Sequence, residues 1–192
     1  NADVDAVSTA AGNITVTTAL ADDVVATTTG AGTVTVTGEG DTAMTVTART
    51  STVTLSANDA VNNATVTATG TGAGLDTDTL NVTSGDDFTI ANQAGDVVEA
   101  VNVTGTAALT ATVTTAAATT YTGDANTTFA GTSAMFDATT VTGAAGVDLT
   151  DVTADVDADS ISGTITVSDD DIAAGRTVTL GADNQSVVVS GE

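Results

Sequence analysis

Acidic side chains supply almost all the charged chemistry in this sequence, and the tightest alternation is Asp155-Val-Asp157-Ala-Asp159-Ser160. Carboxylates at alternate positions of a turn can surround a hard cation such as calcium, which takes six to eight oxygen ligands at roughly 2.3–2.6 Å. The run is not an EF-hand loop. Ser160 stands where the sharp-turn glycine belongs, and Thr166 where the bidentate glutamate belongs. The competing reading is a solvated acidic strand, with Val156 and Ala158 facing inward. Other acids pair at the ends of apolar segments: Asp76 with Asp78, Asp86 with Asp87, Asp22 with Asp23, and the run Asp169, Asp170, Asp171. Such clusters cap helices and shape turns, and they also share cations between stacked strands. Calcium at one or more of Asp155, Asp157, Asp159, Asp76, Asp78, Asp86, Asp87 and Asp169 to Asp171 is the expectation.

Other reactive groups are scarce. The 192 residues contain no His, Cys, Lys, Pro or Trp, and Arg49 and Arg176 are the only cations against 25 acids, for a net charge of −23. A thiol nucleophile, a Ser-His-Asp triad and a zinc finger are therefore excluded. Paired carboxylates alone could serve a glycosidase, but such a cleft needs a carbohydrate platform that four aromatics and two distant arginines do not supply. The chain is expected not to be an enzyme. A surface this acidic repels phosphate, so nucleic acid is not an expected partner. No apolar run reaches the length of a membrane span, and no basic segment followed by an apolar core marks an export signal. Each arginine is expected to find a carboxylate in this field of acids. Six Asn-x-Ser/Thr sequons, at Asn13, Asn63, Asn81, Asn102, Asn126 and Asn184, are read chiefly as asparagines at alternate strand positions.

The elements that position these groups read as strands. Thr, Ala and Val fill 106 of the positions, and apolar and hydroxyl residues alternate in segments such as Ile14-Thr-Val-Thr17, Thr33-Val-Thr-Val-Thr37, Thr52-Val-Thr-Leu55, Leu80-Asn-Val-Thr83 and Thr164-Ile-Thr-Val167. A period of two with β-branched residues favours pleated strands. Their centres recur every 8 to 15 residues between turns rich in Gly, Asn and Asp, such as Gly38-Glu-Gly-Asp41 and Ser84-Gly-Asp-Asp87. Only Ser56 to Ala60 and Asp169 to Gly175 read as helical turns. Val, Ile, Leu and Phe make up 41 residues, so the core must be thin. A β-solenoid, whose narrow interior is filled by stacked small side chains, is the expected fold; a β-sandwich is the alternative. The whole of 1–192 is read as one elongated β domain or repeat array, complete or a segment of a longer protein.

The segment Thr77-Asp-Thr-Leu-Asn-Val-Thr83, followed by Val98-Glu-Ala-Val-Asn-Val-Thr-Gly105, resembles bacterial surface-layer (S-layer) proteins of the acidic, Thr- and Ala-rich, type I-secreted kind. The specific likeness covers Asp76 to Gly105; the likeness in composition covers the whole chain. The resemblance implies an extracellular, self-assembling cell-surface lattice ordered by calcium, with copies of the chain and cell-surface polysaccharide as partners. The tandem glycine-aspartate nonapeptides of calcium-binding β-rolls are absent as a run. Two other outcomes share this composition: a filament polymerising by strand addition, with Asn1 to Thr9 or Gln185 to Gly191 as donor strands, and a monomeric adhesin or stalk module.

Overall fold

The computed structural model describes residues 4–9, 12–18, 24–28, 32–39, 43–56, 64–70, 77–92, 97–115, 117–168, 175–181 and 186–190. The chain is a β-solenoid. Strands, numbered along the chain, fall alternately on two parallel sheets. One sheet stacks ten of them in the order β1 (Val4–Ser8), β3 (Val24–Thr28), β5 (Ala43–Thr47), β7 (Ala64–Thr69), β9 (Phe88–Asn92), β11 (Leu109–Thr114), β13 (Thr127–Thr132), β15 (Gly146–Asp151), β17 (Thr164–Ser168) and β19 (Ser186–Ser190). The facing sheet stacks β14 (Thr140–Thr142), β12 (Thr120–Thr122), β10 (Ala100–Gly105), β8 (Thr79–Ser84), β6 (Thr50–Ser56), β4 (Thr33–Glu39) and β2 (Ile14–Thr17). A third wall, β16 (Val156–Ala158) paired with β18 (Val178–Leu180), closes the C-terminal coils.

The alternation that makes these strands also builds the interior, because one residue in two points inward and parallel pairing places like on like. In the seven-stranded sheet one inward column runs Ile14, Val34, Ser51, Leu80, Val101, Tyr121, Val141, Ile161. Its neighbour is valine throughout: Val16, Val36, Val53, Val82, Val103. The ten-stranded sheet answers with Val24, Met44, Val66, Ile90 and Val113, and then with Phe88, Ala111, Phe129, Val147 and Ile165. All of these except partly buried Ile14 are buried. Ladders of valine suit a narrow interior because each β-branched side chain is already restricted about χ1 and loses little freedom on stacking.

The bulk of the core is concentrated in one place. Tyr121 of the seven-stranded sheet, Phe129 of the ten-stranded sheet and Phe136 of the short helix α1 (Ser133–Phe136) pack together, with centroids 5.3 Å apart for Tyr121 and Phe129 and 5.4 Å for Tyr121 and Phe136. The helix abuts β16 and precedes the third wall in the chain, so the three rings fill the region where that wall begins. The Tyr121 hydroxyl accepts the Ala118 N–H at 2.9 Å. Burial pushes its acidity down, to a pKa of about 12, with the Ala118 hydrogen bond opposing the shift. Corners between coils are equally tight: at Gly143, where φ is +73°, a Cβ would stand 2.5 Å from the Gly123 carbonyl oxygen of the neighbouring coil.

Each alternating segment quoted above forms a strand, but β3 and β12 to β15 lack so regular an alternation, and the helical turn lies elsewhere than expected. The helical turn at Ser133–Phe136 carries no pattern that sets it apart from the surrounding Ala and Thr, and the turns expected at 57–60 and 169–174 lie outside the described residues. The expected donor segments contain β1 and β19, which pair with β3 and β17 of the same chain.

Candidate functional site

Among the described residues two polar surfaces stand out: the corners between coils, where several acids lie, and the outward face of the seven-stranded sheet.

At the corners, carboxylates join one coil to the next. Asp87 Oδ1 accepts the Thr110 N–H at 2.5 Å, Glu99 Oε2 the Asp78 N–H at 2.7 Å, Asp124 Oδ2 the Gly105 N–H at 2.9 Å, Asp137 Oδ1 the Asp157 N–H at 2.9 Å, and Asp155 Oδ1 the Thr177 N–H at 3.0 Å. The partners lie between 19 and 23 residues apart, one coil in each case. Asparagines act alike: Asn13 Oδ1 accepts the Thr33 N–H, and Asn126 Nδ2 donates to the Gly105 carbonyl. A corner interrupts the sheet ladder and leaves backbone groups without a strand partner; the carboxylates and Asn13 supply acceptors to its N–H groups, and Asn126 a donor to its carbonyl. Glu99, Asp124 and Asp137 were not among the acids singled out in the sequence. A signal was present: Asp78, Asp87, Glu99 and Asp155 each stand one residue before a strand begins.

The candidate metal ligands disperse among such roles. Asp155, Asp157 and Asp159 are exposed around β16 while Val156 and Ala158 are buried. Alternate residues of a strand lie roughly 6.6 Å apart. Asp157 Oδ1 accepts the Asp159 N–H at 3.3 Å and Asp159 Oδ1 accepts the Ser160 hydroxyl at 2.9 Å. The three carboxylates are thus spread along the strand and turned to local donors, an arrangement that does not fit one caged cation. Asp86 and Ser84 form a closed turn, the Ser84 hydroxyl donating to the Asp86 carbonyl at 2.8 Å and accepting its N–H at 3.1 Å. Asp78 is buried, with Arg49 Nε 4.0 Å from its Oδ1. Asp76 and Asp169 to Asp171 lie outside the described residues. Among the described residues no group of three or more His, Cys, Asp or Glu side chains could hold a metal ion.

Asp124 is the most heavily bonded of the corner acids, accepting from the Asn126 N–H at 3.0 Å and the Thr127 hydroxyl at 2.9 Å besides Gly105. Desolvation pushes its pKa up, but the hydrogen bonds from Thr127, Asn126 and Gly105 together outweigh this and hold it below the ordinary carboxylate value. A depressed folded-state pKa contributes stability above the unfolded value, roughly 3.9, and loses it as pH falls through the folded value. Asp124→Ala is therefore expected to cost about 2 kcal/mol at neutral pH, and the difference from wild type should shrink as the pH drops below the carboxylate range. Urea unfolding of both proteins across pH measures it.

The outward face of the seven-stranded sheet is a grid. One column runs Thr33, Thr50, Thr79, Ala100, Thr120, Thr140; the next Thr15, Thr35, Thr52, Asn81, Asn102, Thr122, Thr142; the third Thr17, Thr37, Thr54, Thr83, Thr104. Asn102 Nδ2 donates to Asn81 Oδ1 at 2.9 Å, so these two sequon asparagines bond to each other between coils. None of the chain's acids occupies a position in the three columns. The ten-stranded sheet is less uniform outside: Asp5, Val25, Thr45, Thr67, Ala91 and Thr114 form one of its columns, and Asp148 interrupts another.

No protein-family model, curated protein or solved structure matches this chain.

Proposed function

We propose that this protein is a non-enzymatic structural component of an extracellular, cell-surface assembly of the S-layer type, built from copies of itself stacked coil on coil. The observation that carries the reading is where apolar surface is left uncovered. The large hydrophobic side chains exposed among the described residues are Val7 and Val25 in the first coils and Leu180, Val188 and Val189 in the last; Val7 is 62% and Val189 55% exposed. Apolar side chains exposed on the first and last coils of a solenoid are covered by whatever stacks next on them. Here β1 and β19 are the outer strands of the ten-stranded sheet, with one edge each unpaired within it. An unpaired parallel edge beside exposed valine is a template for another strand, and the parallel direction lets β19 of one copy take β1 of the next without reversing the stack.

Calcium enters this reading as collective counter-charge. A net charge of −23 makes stacking copies repel one another, and divalent cations at the corner carboxylates weaken that repulsion. Cell-surface polysaccharide remains the proposed anchor, on the strength of the resemblance. Electron microscopy and circular dichroism with calcium and with chelator test the proposal. The expected result is ordered fibres or sheets with calcium, fewer or none with chelator, and β-structure in both. Val189→Lys should abolish the assemblies without unfolding the chain. A folded monomer in every condition would overturn the assembly reading and leave a spacer or stalk module.

A further inference from the structure

We propose that the threonine grid on the seven-stranded sheet is an ice-binding face. Three features of the grid point to crystalline water. First, it is two-dimensional and periodic: parallel strands set neighbours in a column about 4.8 Å apart, and alternate residues set the columns about 6.6 Å apart. Those repeats lie close to oxygen repeats of the hexagonal ice lattice. Columns run in register from Thr15 to Thr142 and from Thr17 to Thr104, with no register shift in this sheet, whereas the ten-stranded sheet shifts at Gly131/Thr132.

Second, each threonine presents a hydroxyl and a methyl from a stiff β-branched side chain held between coil neighbours. The hydroxyl bonds water, and the methyl leaves water no choice but to order around it. Repeated on a fixed grid, the pair holds a first water layer in positions a growing ice surface can adopt. Asn81 and Asn102 continue the middle column as hydrogen-bonding groups, and their mutual bond fixes their spacing.

Third, the three columns hold no charged residue in a chain with 25 acids; Glu39 ends β4 one register position beyond them, paired with Ser56. Carboxylates organise hydration water around themselves and are poorly accommodated in ice, and their absence from the three columns leaves the grid free of them. A protein partner would be served by relief, aromatic anchors or complementary charge, none of which the grid offers. Its uniformity suits a ligand that is itself a lattice.

The test is ice-crystal growth and thermal hysteresis of the purified chain, with partition into a slowly grown ice ball as a second readout. Wild type is expected to facet ice crystals and enter the ice. Thr52→Lys, at the centre of the grid, and Thr122→Lys, at an exposed position further along it, should each lose faceting and be excluded from ice. Thr67→Lys on the other sheet should behave as wild type, and circular dichroism checks that all three variants fold. Should Thr52→Lys fail to fold, Thr122→Lys still decides the matter. Rounded ice growth with wild type, or faceting retained in a folded grid variant, overturns the proposal. So does sedimentation showing that the grid is covered by a second copy, released by Thr122→Lys. Because end stacking runs through β1 and β19, Val189→Lys should remain ice-active even if assembly is lost, which separates this inference from the assembly reading.

Discussion

Phe129→Ala should lower stability by about 4 kcal/mol, the largest loss expected of any single truncation in this chain. Phe129 is fully buried and packs against the Tyr121 ring across the interior, which in turn packs against Phe136 of the helix. Its rung neighbours are Ala111 and Val147, neither of which is large enough to close the cavity. In a compact protein the surroundings relax partly into such a hole; here strands are pinned in parallel ladders on both sides, so collapse is resisted. A solenoid's stability is approximately the sum of its coils and their nearest-neighbour contacts. The damage should therefore be local first, separating the coils before Phe129 from those after it. Hydrogen exchange resolved by segment checks this. Early exchange from 120 to 150 with β4, β6 and β8 still protected is the expected pattern, and uniform exchange throughout would contradict it.

Arg49→Met should cost about 3 kcal/mol, because removing one partner of a buried ion pair leaves the other charge uncompensated. Asp78 is buried, its side chain only 1% exposed, and Arg49 is 33% exposed at 4.0 Å. The same corner is fixed twice more: the Asp78 N–H donates to Glu99, and the Thr79 N–H donates to the Arg49 carbonyl at 2.7 Å. Three consecutive coils meet there. The double variant Arg49→Met with Asp78→Leu should recover much of the loss, since a buried pair replaced by apolar groups is often close to neutral. Chemical denaturation of both single variants and the double one completes the cycle. Arg49→Met as stable as wild type would mean that water, rather than the arginine, satisfies the Asp78 carboxylate.

How much of this was readable from residues alone differs by level. The strands at Ile14–Thr17, Thr33–Glu39, Thr79–Ser84 and Thr164–Ser168 were legible because period two is a local property. The narrow core was legible too, in the shortage of aromatics that favoured a solenoid over a sandwich. Which strand stacks on which was not. Thr-Val-Thr at β4 could pair as well with β8 as with β6 on composition alone, and the choice is made at corners by long-range partners such as Asp124 with Gly105. The acidic residues were conspicuous as a class, yet their role was hidden for the same reason. A carboxylate that accepts an N–H from the next coil looks, in sequence, like one that waits for a cation. The threonine grid was visible only as alternation, since a column exists only once the register is known.

That register has a consequence for how such a chain can change over generations. Neighbouring rungs are separated by 17 residues from Val34 to Ser51 and by 29 from Thr50 to Thr79, yet both pairs sit directly opposite each other in the same sheet. Length differences between coils are absorbed at the corners and do not propagate into the columns. Insertions and deletions at a corner are therefore nearly neutral for the stack, whereas one inside a strand inverts the side chains in the rest of that strand. Such a lineage can lengthen, shorten and decorate its corners freely while its faces stay in phase, and its relatives will drift out of sequence alignment long before they lose their shape.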